Sequence, residues 1–155
     1  MAITIEESND IDVIAALSAA VQNEHHDRRP DWFKPYDHSA TRDALWGIAD
    51  DPDARCLVAY VDDAPVGYAL LVQHDRPESE IRYADRTLEI DQMSVDAEYR
   101  RQGIASALVE RVREIARAER FNRIRLTVWS DNEAARALYT ASGFTTFRDM
   151  MELAP

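Results

Sequence analysis

Apolar positions along this chain change period several times, and each change marks an element. Ala2 to Glu6 (AITIE) alternates as a short edge strand. Behind a cap at Asn9 or Asp10, Ile11, Ile14, Leu17 and Val21 recur at helical spacing, which predicts a helix to about Asn23. Residues 24–39 (EHHDRRPDWFKPYDHS) have two prolines and no period, so they read as a loop or a helix-loop-helix elbow. A second helix starts at Ser39 or Thr41, runs through Leu45, Trp46 and Ile48, and stops near Asp51-Pro52. Cys56 to Val61, the turn Asp62-Asp63-Ala64 and Pro65 to Gln73 make an antiparallel hairpin, followed by a charged loop over 74–86.

The second half begins with an apolar strand, Thr87 to Val95. Ile104, Leu108, Val109, Val112, Ile115 and Ala116 then predict a helix over about 102–119 with one face on a sheet. Ile124, Leu126 and Val128 alternate as a strand, and Asn132 or Asp131 caps a short helix ended by Gly143. Phe144 to Leu153 is predicted as a last strand or hairpin arm. The order β α α β β β α β α β is α+β with a mixed sheet. With no repeat or linker, residues 1–155 are expected to form a single domain.

One strand breaks its own rhythm. Leu88 and Ile90 define one face of 87–95, Met93 and Val95 the other, and a bulge near Asp91-Gln92 would reconcile them. An N–H freed by a bulge can polarise a carbonyl. A plain strand buried on both faces fits the periodicity equally.

Composition narrows the chemistry. The net charge of −11 argues against nucleic acid as the main partner and is compatible with a cationic substrate such as an amine, or with no more than an aid to solubility. No run is long enough to span a membrane, no secretory signal is visible, and the cytoplasm is the expected location. The lone Cys56 excludes an internal disulfide and is expected in the core. His25, His26, His38 and His74 lack metal-ligand spacing, so no metal is expected. Lys34 is the only lysine, and its setting suits neither a Walker loop nor a Schiff base. Neither GxGxxG nor GxxxxGK is present. Instead Arg100-Arg101-Gln102-Gly103-Ile104-Ala105 carries a strand into a helix, and the amides at such a junction suit a diphosphate. A glycine that merely eases the turn is the alternative.

The run V95-DAEYRRQGIA-105, joined to Asn132-Glu-Ala-Ala135 and to Leu138-Tyr139-Thr-Ala-Ser-Gly143-Phe144, resembles the GNAT superfamily of acyl-CoA-dependent N-acetyltransferases. The family loop Q/R-x-x-G-x-G/A is matched by Arg100, Gly103 and Ala105, and the likeness covers roughly 56–147. It implies a three-layer α/β/α fold around a mixed, mostly antiparallel sheet, with acetyl-CoA as co-substrate. It implies that the backbone of Arg101, Gln102, Gly103, Ile104, Ala105 and Ser106, beside Arg100, binds the pyrophosphate, and that Met93, Ser94 and Val95 pair with the pantetheine arm. The Met93 N–H would face the thioester carbonyl, Asn132 would contact the pantetheine, and Tyr139 would protonate the departing thiolate.

An alkylammonium must lose a proton before it can attack, because its pKa is about 10. Asp91, where many family members carry a glutamate, is the leading base, directly or through water; Glu89 is the second candidate. Glu24, His25, Asp31, Trp32, Phe33 and Tyr36 suit an alkylammonium by ion pairing and cation–π contact, and in similar acetyltransferases this region lines the acceptor. A hydrophobic plug ringed by solvated charges is the other reading of the same residues. The expected reaction is direct attack of a primary amine of a small molecule or peptide on acetyl-CoA, without a covalent enzyme intermediate. Acetylation of protein N-termini and a non-catalytic acyl-CoA-binding regulatory module are the alternatives. The resemblance also suggests a homodimer exchanging the C-terminal strand TTFRDMMEL.

Overall fold

A computed structural model describes residues 1–155. Five strands form one sheet in the order β1-β2-β3-β4-β5: β1 (Ile3–Glu7), β2 (Ala54–Val61), β3 (Ala64–Arg76), β4 (Asp85–Val95) and β5 (Arg123–Leu126). Neighbours among the first four are antiparallel and β5 runs parallel to β4, giving the expected mixed sheet.

Alternation along the strands feeds two cores. Leu57, Ala59, Ala69, Leu71, Leu88 and Ile90 pack against Ile104, Leu108, Val112 and Ile115 of helix α4 (Ile104–Ala118). Cys56, Val58, Tyr68 and Leu70 point the other way, onto Ile11, Ile14, Ala15 and Leu17 of α1 (Ile11–Leu17) and Leu45 of α3 (His38–Ala49). The sheet is thus the middle of three layers, as expected. Each fully buried Leu or Ile contributes about 1.5–3 kcal/mol, so these two faces supply the bulk of the driving force.

The predicted helix 10–23 is two helices. Ser18 lies buried between them, its Oγ donating to Ala15 O at 2.8 Å, so side chain competes with backbone for that carbonyl. Helix α2 (Ala19–Arg28) then runs further than the apolar pattern did, and carries Glu24 and His25 on a helix instead of a loop. The charged loop is shorter than expected: His74, Asp75 and Arg76 pair with Thr87, Arg86 and Asp85, and Arg86 Nε donates to Asp75 at 2.7 Å. Residues 145–155 form no strand, contrary to expectation. The final helix, α5 (Glu133–Ala141), is capped by Asn132 and followed by Gly143 at φ 97°. No helix is long and apolar enough to cross a membrane.

Candidate active site

The sheet comes apart at one residue. Leu70 pairs with Gln92 and Leu71 with Ile90, so Asp91 is an extra residue without a partner on β3. This bulge resolves the broken rhythm: Leu88, Ile90, Met93 and Val95 all reach the α4 core. The pairing of β4 with β5 ends at the same point, where Ile90 lies opposite Leu126. Beyond it β4 stays paired with β3, and its other edge is open. The Asp96 N–H donates to Val66 O of β3 at 2.8 Å. Successive amides of a strand alternate sides, so those of Met93 and Val95 face the open side.

The opening is a cleft of about 610 Å³. Met93, Ser94 and Val95 line it, as do Arg100, Arg101, Gly103, Ile104, Ala105 and Ser106, with Asn132 and Tyr139 contributed by α5 and its cap. Of the residues expected at the coenzyme, Gln102 alone is not in the lining; its Nε2 donates to Glu98 O at 3.1 Å. Arg101 and Gly103 are left-handed, with φ of 64° and 85°. Such turns aim successive N–H groups at one place. The first helical bond of α4 is Ala107 N–H to Gly103 O, which leaves the amides of Ile104, Ala105 and Ser106 without a helical acceptor. No acidic side chain stands in that first turn to compete for them. Arg100 Nε donates to Val95 O at 3.2 Å and ties the loop to β4. Unpaired amides at the positive end of a helix form a site for a diphosphate.

Across the cleft, Asn132 accepts from Ala135 N–H at 3.1 Å and donates to Glu24 at 3.4 Å, so it caps α5 and touches α2 together. The Tyr139 ring stands edge-on to Phe144 at 5.6 Å, and burial pushes its phenol above the usual range.

Asp91, Glu89 and Gln92 accompany the Tyr68–Leu70 face of β3. The Tyr68 hydroxyl donates to Gln92 Oε1 at 2.8 Å, and Glu89 meets His74 Nε2 at 2.6 Å. Asp91 is accessible to water, yet the protein around it desolvates the carboxyl and pushes it upward; the negative charge of Glu89 adds to this, while His74 and His25 oppose it. His25 is stacked on Phe33 at 4.9 Å and accepts from the Trp129 indole N–H at Nδ1, at 3.0 Å. Burial lowers the His25 imidazole despite the raising effect of Glu24 and Asp91. Glu24 pairs with Arg28 at 3.2 Å, and Arg28 also pairs with Asp131. These contacts join α2 to 129–132 beside the cleft, whose lining includes Glu24 and Asn132.

Three of the acceptor candidates have partners of their own, Trp32 lying 6.4 Å from the Phe33 ring. Asp31 is held by Arg29 at 2.8 Å, Trp32 is 58% exposed beneath the same guanidinium, and the Tyr36 hydroxyl donates to Ala15 O at 3.0 Å. They brace the segment that carries Phe33. Two neighbours of the site went unnoticed in the sequence, Trp129 and His74. Strand parity could have found His74, which follows Tyr68, Leu70 and Val72 on one face. Trp129 comes after β5 has ended, where strand parity no longer applies. No group of three or more His, Cys, Asp or Glu side chains comes together to hold a metal ion.

A family model described as "Acetyltransferase (GNAT) family" matches residues 21–144, and the chain belongs to that family. Thialysine N-epsilon-acetyltransferase of Bos taurus is 32% identical over 105 residues, 63% of this chain and 59% of that protein. The L-amino acid N-acetyltransferase AaaT of Escherichia coli K12 is 33% identical over 105 residues, covering 66% of this chain and 61% of that one. The chain thus spans about three fifths of the length of each of these two relatives. Among solved structures, the tetramutant of the BH1408 protein from Bacillus halodurans has the same fold, with a TM-score of 0.89 at 23% identity over 98% of this chain and 99% of that one.

Proposed function

We propose that the chain, as one domain over residues 1–155, is a cytoplasmic acetyl-CoA-dependent N-acetyltransferase acting on a primary amine of a small molecule. The observation that carries this reading is the lone edge of β4 from Met93 to Val95, leading into the free amides of 104–106. Acetyl-CoA supplies the acyl group as a thioester, with a diphosphate at the far end of an extended arm. The amides of 101–106 and Arg100 hold the diphosphate, and the edge of β4 hydrogen-bonds the arm as an added strand would. The Met93 N–H stabilises charge developing on the acyl oxygen, and the Tyr139 phenol donates a proton or hydrogen bond to the leaving sulfur. Burial makes that phenol a weaker acid than free tyrosine, so its contribution rests on positioning. Asp91, with its raised carboxyl, takes the ammonium proton, and Glu89, paired with His74, supports it electrostatically. Glu24, His25 and Phe33 form the acceptor wall with Trp129.

The contacts Arg28–Asp131, Trp129–His25 and Asn132–Glu24 favour a small amine over a protein N-terminus, because an extended peptide needs an open groove there. Amino acids and thialysine, named for the two relatives, belong in the first substrate panel. The reading includes a homodimer through the C-terminal segment, whose Met150, Met151 and Leu153 are 91%, 93% and 92% exposed. The test is thiol release from acetyl-CoA against amino acids, thialysine, polyamines, aminoglycosides and short peptides, with product mass as confirmation. Release with a small amine is the expected result. Coenzyme binding without amine-dependent release would instead support a regulatory module, and release with peptides alone would support N-terminal acetylation.

A further inference from the structure

Trp129 is placed to decide what His25 can do. An indole N–H can only donate, so the 3.0 Å contact from Trp129 Nε1 to His25 Nδ1 requires a lone pair on Nδ1. A neutral imidazole with a lone pair on Nδ1 carries its proton on Nε2. An imidazolium would set two N–H groups against each other. The ring is further held by the stack on Phe33, at 4.9 Å and 27°, and Phe33 itself meets the Trp129 ring edge-on at 6.3 Å. We infer that Trp129 is a positioning residue that holds His25 as the neutral, Nε2-protonated tautomer, and thereby keeps the acceptor end anionic and selective for cationic amines.

The consequence lies in the charges around the ring. Glu24 and Arg28 flank His25 on α2, and Arg28 is shared with Asp131. Asp91 faces it from β4; Glu89 lies beside Asp91 and is bound by His74 from β3. Arg28 and His74 thus already have carboxylate partners, and Asp91 has none. A protonated His25 would compete with the substrate ammonium for Asp91. A neutral His25 leaves that charge to the substrate, and its Nε2–H cannot serve as the base, which leaves proton removal to Asp91. Burial of the ring works in the same direction as the indole bond.

This inference rests on the proposed transferase reading only for its effect on the amine; the tautomer is measurable without turnover. Nitrogen-15 NMR of the intact chain, with His25 assigned through His25→Asn, should show Nδ1 unprotonated and Nε2 protonated at pH 7. The opposite tautomer, or an imidazolium at pH 7, would overturn it. Trp129→Phe keeps an aromatic ring but removes the donor. It should raise the His25 titration midpoint by about one pH unit, the scale of one lost hydrogen bond. In the same variant KM for the amine should exceed the parent's several-fold between the two His25 midpoints and approach the parent value above and below them, with coenzyme affinity unchanged. A His25 midpoint unmoved in a folded Trp129→Phe variant would refute the inference. If the tautomer and midpoint behave as stated but no amine is acetylated, the transferase reading fails and the role of Trp129 in holding His25 stands.

Discussion

Gly67 of β3 lies so close to Ser94 of β4 that a Cβ built on it would come within 2.9 Å of the Ser94 carbonyl oxygen. The same Cβ would be 3.2 Å from the Val95 side chain. The contact lies just behind the lone edge of β4, so the absent side chain at 67 lets that strand sit where it does. The obstacle is backbone and cannot rotate away. Gly67→Ala should therefore destabilise the fold by roughly 1–3 kcal/mol, in the range of overpacked cores. It should also weaken coenzyme binding, because Met93 and Val95 must move with Ser94. Urea titration and calorimetry with CoA check the two effects separately.

Gly103 presents the opposite case. A Cβ there meets nothing within 4 Å, but φ is 85°. Gly103→Ala is thus opposed by backbone conformation alone, at about 1–2 kcal/mol. The loop can relieve this by leaving the left-handed well, and the coenzyme must then restore it. An increase in the CoA dissociation constant of up to roughly tenfold is expected, with a smaller loss of thermal stability.

Tyr139→Phe keeps the ring against Phe144 and removes the hydroxyl. Turnover should fall by roughly 10²-fold while CoA affinity stays near that of the parent, the pattern of a group used in the reacting state. Because burial raises the phenol, Tyr139 stays protonated through neutral and mildly alkaline pH. Any alkaline decline in rate below pH of about 10 should therefore be the same in parent and variant.

Asp91→Asn tests the base and has a signed effect on stability. The folded carboxyl is raised by desolvation first and by Glu89 second, so the fold favours the protonated form. For such a group, stability is greatest below the unfolded pKa and declines as pH rises through the folded one. Asn is neutral throughout, so the variant should be at least as stable as the parent at pH 7 by thermal melting. Its kcat/KM for the amine should drop by roughly 10²-fold, and the acid limb of the pH profile should disappear.

Cys56 bears on how thiol release is measured. Burial against Leu70 and α1 raises its thiol to about 12. Ellman's reagent at pH 8 should find no protein thiol in the native chain and one after unfolding. Thiol seen during turnover is then the coenzyme's.

The sequence alone carried the order of elements as far as α5, the two faces of the sheet and the glycine loop, because each rests on local periodicity or on the freedom of a single residue. For β4 it left two readings, a bulge near Asp91 or a strand buried on both faces, and the structure decided for the bulge by bringing Leu88, Ile90, Met93 and Val95 to one core. The break at Ser18 and the unpaired segment after Thr145 were not legible, since a buried hydroxyl and a missing pairing partner depend on neighbours far along the chain. Composition brought six acceptor candidates into one stretch. Only the tertiary structure separated His25 and Phe33, which meet Trp129, and Glu24, which meets Asn132, from Asp31, Trp32 and Tyr36, which meet neither. Residues 25 and 129 meet through a hydrogen bond that spans most of the chain, and no periodicity records a contact made by packing a helix against the end of a strand.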